Sequence, residues 1–139
     1  MKYIHDEVGS EQVIDLIEDS NHSVCISELA RVELVSALHR KRREDSLSDS
    51  QLQQVLSEFD EVLTAFLIEP IDPRVVEAAI QRLRKHGRKR ALRTLDALHL
   101  ATFVHVSDPE WRFVVADDRL YDVAVEEGIT AIHPVRSSE

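Results

Sequence analysis

The chain has 139 residues, enough for one domain with a real core, and its 43% hydrophobic and 31% charged residues exclude a disordered chain. No apolar run approaches the roughly 18 residues of a membrane helix. The acidic start, Met1–Glu7, has no apolar core and is no signal peptide. The single cysteine, Cys25, excludes an internal disulfide and fits a reducing cytoplasm. The formal net charge of −9 argues against a non-specific nucleic-acid binder.

Neither a repeat nor a linker divides the chain, so residues 1–139 are expected to form a single domain. Glu11–Asp19 reads as a short helix behind Ser10 as N-cap, and Ser23–Ile26 as a short strand. Ser27 then caps a helix through about Arg42 with a core stripe of Ala30, Leu34, Ala37 and Leu38. Glu33 lies about 60° off Ala30, on the rim of that stripe. Ser48 and Gln51 form a capping box. Behind it Leu52, Val55, Leu56, Phe59, Val62, Leu63 and Phe66 keep a 3.6-residue period. Leu67–Ile71 is a strand candidate. Asp72 as N-cap and Pro73 at the first helical position open a helix expected to carry Val76, Ala79, Ile80 and Leu83 inward and to end at Gly87.

The next helix carries Asp96 in its first turn. Leu92, Leu95, Leu98 and Thr102 mark its apolar face, and Asp96, His99 and Phe103 a neighbouring stripe. Phe113, Val114 and Val115 make a continuous apolar run suited to a buried parallel strand over Arg112–Ala116. A helix from about Arg119 to Glu127 comes next, with Asp118 as N-cap, Leu120, Val123 and Ala124 inward, and Gly128 as its stop. Ile129–His133, closed by Pro134, is the last strand. Strands alternating with helices imply an α/β layer fold with a mostly parallel sheet.

Three carboxylates stand out by position: Glu33 on a helix rim, Asp96 in a first turn, and Asp117 at the carboxyl end of an apolar strand, where open parallel sheets bind ligands. Carboxylates brought together from different elements repel unless some protonate or a cation binds. Oxygen ligands favour a hard ion such as Mg²⁺ or Mn²⁺. Such an ion supports phosphodiester hydrolysis by activating water and stabilising charge on a phosphoryl oxygen. Spacing alone does not bring the three together, and capping and surface carboxylates are the commoner case. Most of the 17 lysines and arginines fall in Arg40–Arg43 and in Arg82, Arg84, Lys85, Arg88, Lys89, Arg90 and Arg93. The second group runs into the Asp96 helix. It suits a polyanionic substrate or, equally, a solvated helix end with cations at its C-terminus. His99 can chelate one turn after Asp96, although a packed or supporting histidine is the commoner case.

Arg93-Thr94-Leu95-Asp96-Ala97-Leu98-His99-Leu100-Ala101 closely resembles the third conserved block of the PIN-domain nucleases, and in particular of the VapC-like toxin ribonucleases of toxin–antitoxin pairs. Ser27-Glu28-Leu29-Ala30-Arg31-Val32-Glu33-Leu34-Val35-Ser36-Ala37-Leu38 is similar to the second block. Phe113-Val114-Val115-Ala116-Asp117-Asp118-Arg119-Leu120 is similar to the fourth. Glu126-Glu127-Gly128-Ile129 and His133-Pro134 look like the family's ending, so the likeness runs from about Lys2 to Val135. The resemblance implies a three-layer α/β fold and a metal-dependent endoribonuclease acting on RNA. It implies Asp96 and Asp117 as ligands of Mg²⁺ (or Mn²⁺), and Glu33 as the acidic residue that orients or deprotonates water. Arg93 and Arg90 would meet RNA phosphates. A protein antitoxin and a homodimer are the implied partners, with no membrane.

The front departs from the family pattern. The family opens with an apolar strand ending in Asp, usually Leu-Asp-Thr-Ser-Ala-Leu-Val-Lys in this subgroup. Met1-Lys2-Tyr3-Ile4-His5-Asp6-Glu7 resembles the segment just beyond that strand, with Met1 where the Val of Val-Lys stands. The expectation is that this central strand and its Asp are absent from the 139 residues, that Asp6 is no substitute, and that Met1 is an internal start. Buried unpaired amides cost about 1–3 kcal/mol each, against a total stability of roughly 5–15 kcal/mol. The short form would then be poorly stable and inactive, or a non-catalytic protein that only binds antitoxin or RNA.

Overall fold

A computed structural model describes residues 24–106, 108–115 and 117–133. The expected helix at Glu11–Asp19 and the Met1–Glu7 segment lie outside the described residues, as do Ser23, Ser107, Ala116 and Pro134. In chain order the elements are β1 (Cys25–Ser27), α1 (Glu28–Arg43), α2 (Asp49–Leu63), β2 (Leu67–Glu69), α3 (Pro73–His86), α4 (Thr94–Val106), β3 (Phe113–Val114), α5 (Asp118–Glu126) and β4 (Ala131–Ile132). The architecture is α/β, mostly helical with short parallel strands, consistent with the PIN-like expectation. β1 pairs with β2 in parallel, Ile26 opposite Ile68. β3 pairs with β4 in parallel, Phe113 opposite Ala131. Among the described residues these are two separate two-stranded sheets rather than one continuous sheet.

The helix starts arise from capping chemistry. The Ser27 hydroxyl, at the end of β1, accepts the Leu29 N–H at 3.1 Å, so strand passes into helix without a loop. Ser48 and Gln51 form the reciprocal capping box at α2. The Asp72 carboxylate accepts the Arg74 and Val75 N–H groups at 2.8 and 3.1 Å, with Pro73 next in the first turn. Gly87 does end α3, but at φ −60° rather than in the left-handed conformation of a glycine stop. A Cβ there would meet the Leu83 carbonyl oxygen at 2.6 Å, so close approach is what requires glycine. Gly128, at φ +81°, closes α5 in the expected left-handed way. Ala91 takes φ +53° between α3 and α4, an uncommon conformation for alanine.

Two apolar clusters hold these elements. Ile26, Ala30, Leu34, Leu38, Leu52, Phe59 and Leu63 join β1, α1 and α2. Val75, Ala79, Leu92, Ala97, Leu100, Ala101, Val115, Leu120, Val123 and Ala124 join α3, α4, α5 and the chain after β3. The α1 and α5 stripes are those their periods predict. α2 ends at Leu63, and Phe66 packs on the same cluster from the turn beyond it.

Three expectations are corrected. α3 buries Val75, Ala79 and His86, while Val76 and Ile80 face solvent. α4 buries Asp96, Ala97, Leu100, Ala101 and Thr102, and of its expected apolar face Leu92 and Thr102 are buried and Leu98 packs on the core, while Leu95 is 43% exposed. Val114 is also exposed, so the run at β3 is not buried on both faces. α4 is apolar nearly all round, so sequence periodicity does not choose its buried face; the neighbouring helices do.

Two leucines on α4 therefore differ sharply. Leu100→Ala should cost about 2–5 kcal/mol, whereas Leu95→Ala should stay within roughly 0.5 kcal/mol, both read by urea unfolding; similar losses would refute this orientation of α4. A second expectation concerns acid. The Val75 N–H, aided by the Arg74 N–H and guanidinium and opposed by desolvation, holds the Asp72 carboxyl below the usual carboxylate range. Its contribution is then present above the unfolded-state pKa and lost as pH falls through the lower folded-state value. Asp72→Asn should flatten the acid limb of stability against pH below about pH 5, and an unchanged limb would assign that limb to other carboxylates.

Candidate active site around Asp96, Asp117 and Glu33

The first turn of α4 positions Asp96. Its Oδ2 accepts the Arg93 N–H at 3.3 Å, as the third helical residue of a capping box does for the cap backbone. The carboxylate also sits at the positive end of the helix. Because Ala97, the next residue, is fully buried, Asp96 is drawn inward and is only 8% exposed. A carboxylate that dry needs compensation. Part of it comes from the Arg93 guanidinium, whose Nε lies 3.6 Å from Asp96 Oδ2.

Asp117 follows β3 and is itself the N-cap of α5: its Oδ1 accepts the Leu120 N–H at 3.0 Å. This corrects the expectation that Asp118 caps the helix. Asp118 occupies the first turn and instead accepts from His133 Nε2 at 2.9 Å. The cap fixes the rotamer of Asp117 and turns its second oxygen, Oδ2, toward Arg93, whose Nη2 is 3.8 Å away. One guanidinium thus spans carboxylates from two elements.

Glu33 reaches the same helix from the other apolar cluster. Its Oε1 accepts from His99 Nε2, and both side chains are largely buried. His99 is one turn beyond Asp96, and residues three apart on a helix are neighbours, with Cβ atoms about 5–6 Å apart. The structure therefore places Asp96 and Asp117 on one guanidinium, that of Arg93, and ties Glu33 to the Asp96 helix through His99.

Among the described residues no group of three or more His, Cys, Asp and Glu side chains is arranged to hold a metal ion. A hard divalent ion keeps several waters and takes only one or two protein carboxylates, and the oxygen donors of Asp96 and Asp117 are of that chemistry. That a cationic group already lies between Asp96 and Asp117 shows that the pair attracts positive charge.

The basic stretch divides. Arg82, Lys85 and His86 gather on Glu127 Oε1, with His86 Nε2 at 2.8 Å. Arg90 Nε pairs with Glu126 Oε2 at 2.9 Å in half-exposed surroundings. These contacts tie the end of α3 and the loop behind it to the end of α5. Arg84, Arg88 and Lys89 stay exposed on the approach to α4.

The PIN domain family profile matches residues 1–126, from the front of the chain through all three carboxylates. The chain belongs to the PIN domain family. PIN domains are generally nucleases and generally use divalent metal ions. No curated protein matches the chain. No helix among the described residues of this PIN domain is long and apolar enough to cross a membrane.

Asp117 as cap and His99 as the partner of Glu33 are the features sequence reasoning missed. The signal for the second was the three-residue spacing of Asp96 and His99. If His99 holds Glu33, His99→Gln should destabilise the protein by about 1–3 kcal/mol, and the loss should shrink in a Glu33→Gln background. An undiminished loss in the double-mutant cycle would mean that the two side chains are not coupled.

Proposed function

We propose that this PIN domain is a Mg²⁺-dependent endoribonuclease of the VapC-like toxin kind, acting in the cytoplasm as a homodimer and restrained by a protein antitoxin. What carries the reading is the convergence of Asp96 and Asp117, from α4 and from the cap of α5, on a single cation. Membership of a nuclease family and the placement of Glu33 beside the same helix support it. The resemblance to toxin ribonucleases supports RNA as the substrate, with the exposed arginines before α4 suited to its phosphates.

In this reading Asp96 and Asp117 would hold the ion, through the Oδ2 atoms that face Arg93. When bound, Mg²⁺ supplies acidification of a water and stabilisation of charge on the scissile phosphoryl oxygens. Glu33 orients the attacking water and takes its proton, and His99 keeps the carboxylate aimed by donating to Oε1. Arg93 and Arg90 bind phosphate oxygens on either side of the cleaved bond, Arg93 from the mouth of the site and Arg90 from the exposed loop.

Any RNA cleavage by the protein should require Mg²⁺ and stop with EDTA. Asp96→Asn should lower cleavage by more than the roughly 10–100-fold typical of losing a residue behind a metal ligand. Mg²⁺ should raise the melting temperature of the wild type, because the ion binds only the folded carboxylate pair, and should not raise that of Asp96→Asn. RNA binding without cleavage would replace this reading with a PIN-like protein that binds antitoxin or RNA and does not cut. An equal metal response in the variant would remove Asp96 from the ligand set.

A further inference from the structure

Arg93 occupies an unusual position for a residue expected to meet substrate. Its guanidinium does not reach outward but lies over both carboxylates, 3.6 Å from Asp96 Oδ2 and 3.8 Å from Asp117 Oδ2. Those distances exceed the 2.7–3.2 Å of an N–H···O hydrogen bond, so the attraction is mainly Coulombic and weakly directional. The Arg93 side chain is 62% exposed, while those of Asp96 and Asp117 are 12% and 25% exposed. Moving the arginine away therefore disturbs no packed core. Moving either carboxylate would break a helix-terminal hydrogen bond, from the Arg93 N–H or the Leu120 N–H.

The oxygens facing the guanidinium are the two Oδ2 atoms that the proposed function assigns to the metal, so the inference rests on that reading. A hard divalent ion takes oxygen at about 2.0–2.1 Å, and a guanidinium within 4 Å of the same oxygens would then face a like charge at close range. Arginine and ion cannot both hold the pair. We infer that Arg93 is an exchangeable cation of this site: it neutralises Asp96 and Asp117 in the metal-free protein, and metal binding displaces it toward substrate phosphate. Mass action gives this exchange two consequences. The internal cation lowers the apparent affinity for metal by the extent to which it occupies the pair. The freed guanidinium adds a positive charge at the mouth of the loaded site, so metal and RNA each strengthen binding of the other, and the coupling is reciprocal.

The test titrates Mn²⁺ into the full chain and into Arg93→Gln by calorimetry without RNA, after circular dichroism shows both folded. The variant should bind Mn²⁺ on the order of tenfold more tightly, and the metal-loaded variant should bind RNA more weakly than the loaded wild type. In the wild type, the Arg93 Nε–H resonance should move as Mg²⁺ is added, and this arm decides the matter if the variant does not fold. Equal or weaker Mn²⁺ affinity in a folded variant, or a stationary Arg93 resonance while Mg²⁺ binds, overturns the exchange and leaves the two-carboxylate metal site standing. Absence of Mn²⁺ binding by both proteins overturns the exchange together with the metal site.

Discussion

The burial of α4 governs the rest of this structure. Its small residues Ala97 and Ala101 and its central Leu100 are fully enclosed among Val75 and Ala79 of α3 and Val123 and Ala124 of α5. Alanines on all three helices let the backbones approach closely, and close packing leaves little freedom for the axis of α4. Asp96 stands next to this buried stripe and is carried into a nearly dry position with it. Desolvating a carboxylate is costly unless hydrogen bonds and opposite charge offset it. The Arg93 N–H, the helix terminus and the Arg93 guanidinium supply that offset. The site is thus a consequence of core packing: helix and carboxylate are buried together, and a cation is drawn to them.

The second governing feature is that the acidic residues come from different apolar clusters. Asp96 and Asp117 belong to elements of the C-terminal cluster, and Glu33 to α1 of the N-terminal one. The contact of Glu33 with His99 crosses between them. A hydrogen bond from a side chain on α4 itself holds Glu33 to the helix that carries Asp96.

The charge distribution has a similar division of labour. In a chain of net charge −9 the effect of the cations is local. The stretch from Arg82 to Arg93 does two things at once. Its first part clamps Glu127 at the end of α5, which stabilises the packing that carries Asp117. Its last member lies over the carboxylates. The residues between them, Arg84, Arg88 and Lys89, keep their charge in solvent. The basic stretch is accordingly neither a simple solvated helix end nor a uniform phosphate rim.

What the sequence by itself determined is local in origin. The Ser27, Ser48 and Asp72 caps, the stripes of α1 and α5, and the Gly128 stop depend on contacts within one or two helical turns, and residue types at fixed spacing encode them directly. The three family-like blocks likewise carried the family, since each lies within one short segment. Tertiary structure decided which face of α4 turns inward, because that helix is apolar nearly all round, and which edge of the single apolar stripe of α3 is buried, Val75 and Ala79 rather than Val76 and Ile80. It also decided that Asp117 rather than Asp118 caps α5, since either residue satisfies the rule for a cap. Above all it decided the pairing of charges: Glu33 with His99 across 66 residues, Arg90 with Glu126 across 36, and Arg93 with both Asp96 and Asp117. Electrostatic attraction acts through space and carries no sequence period, so these partners become known only when the chain is folded.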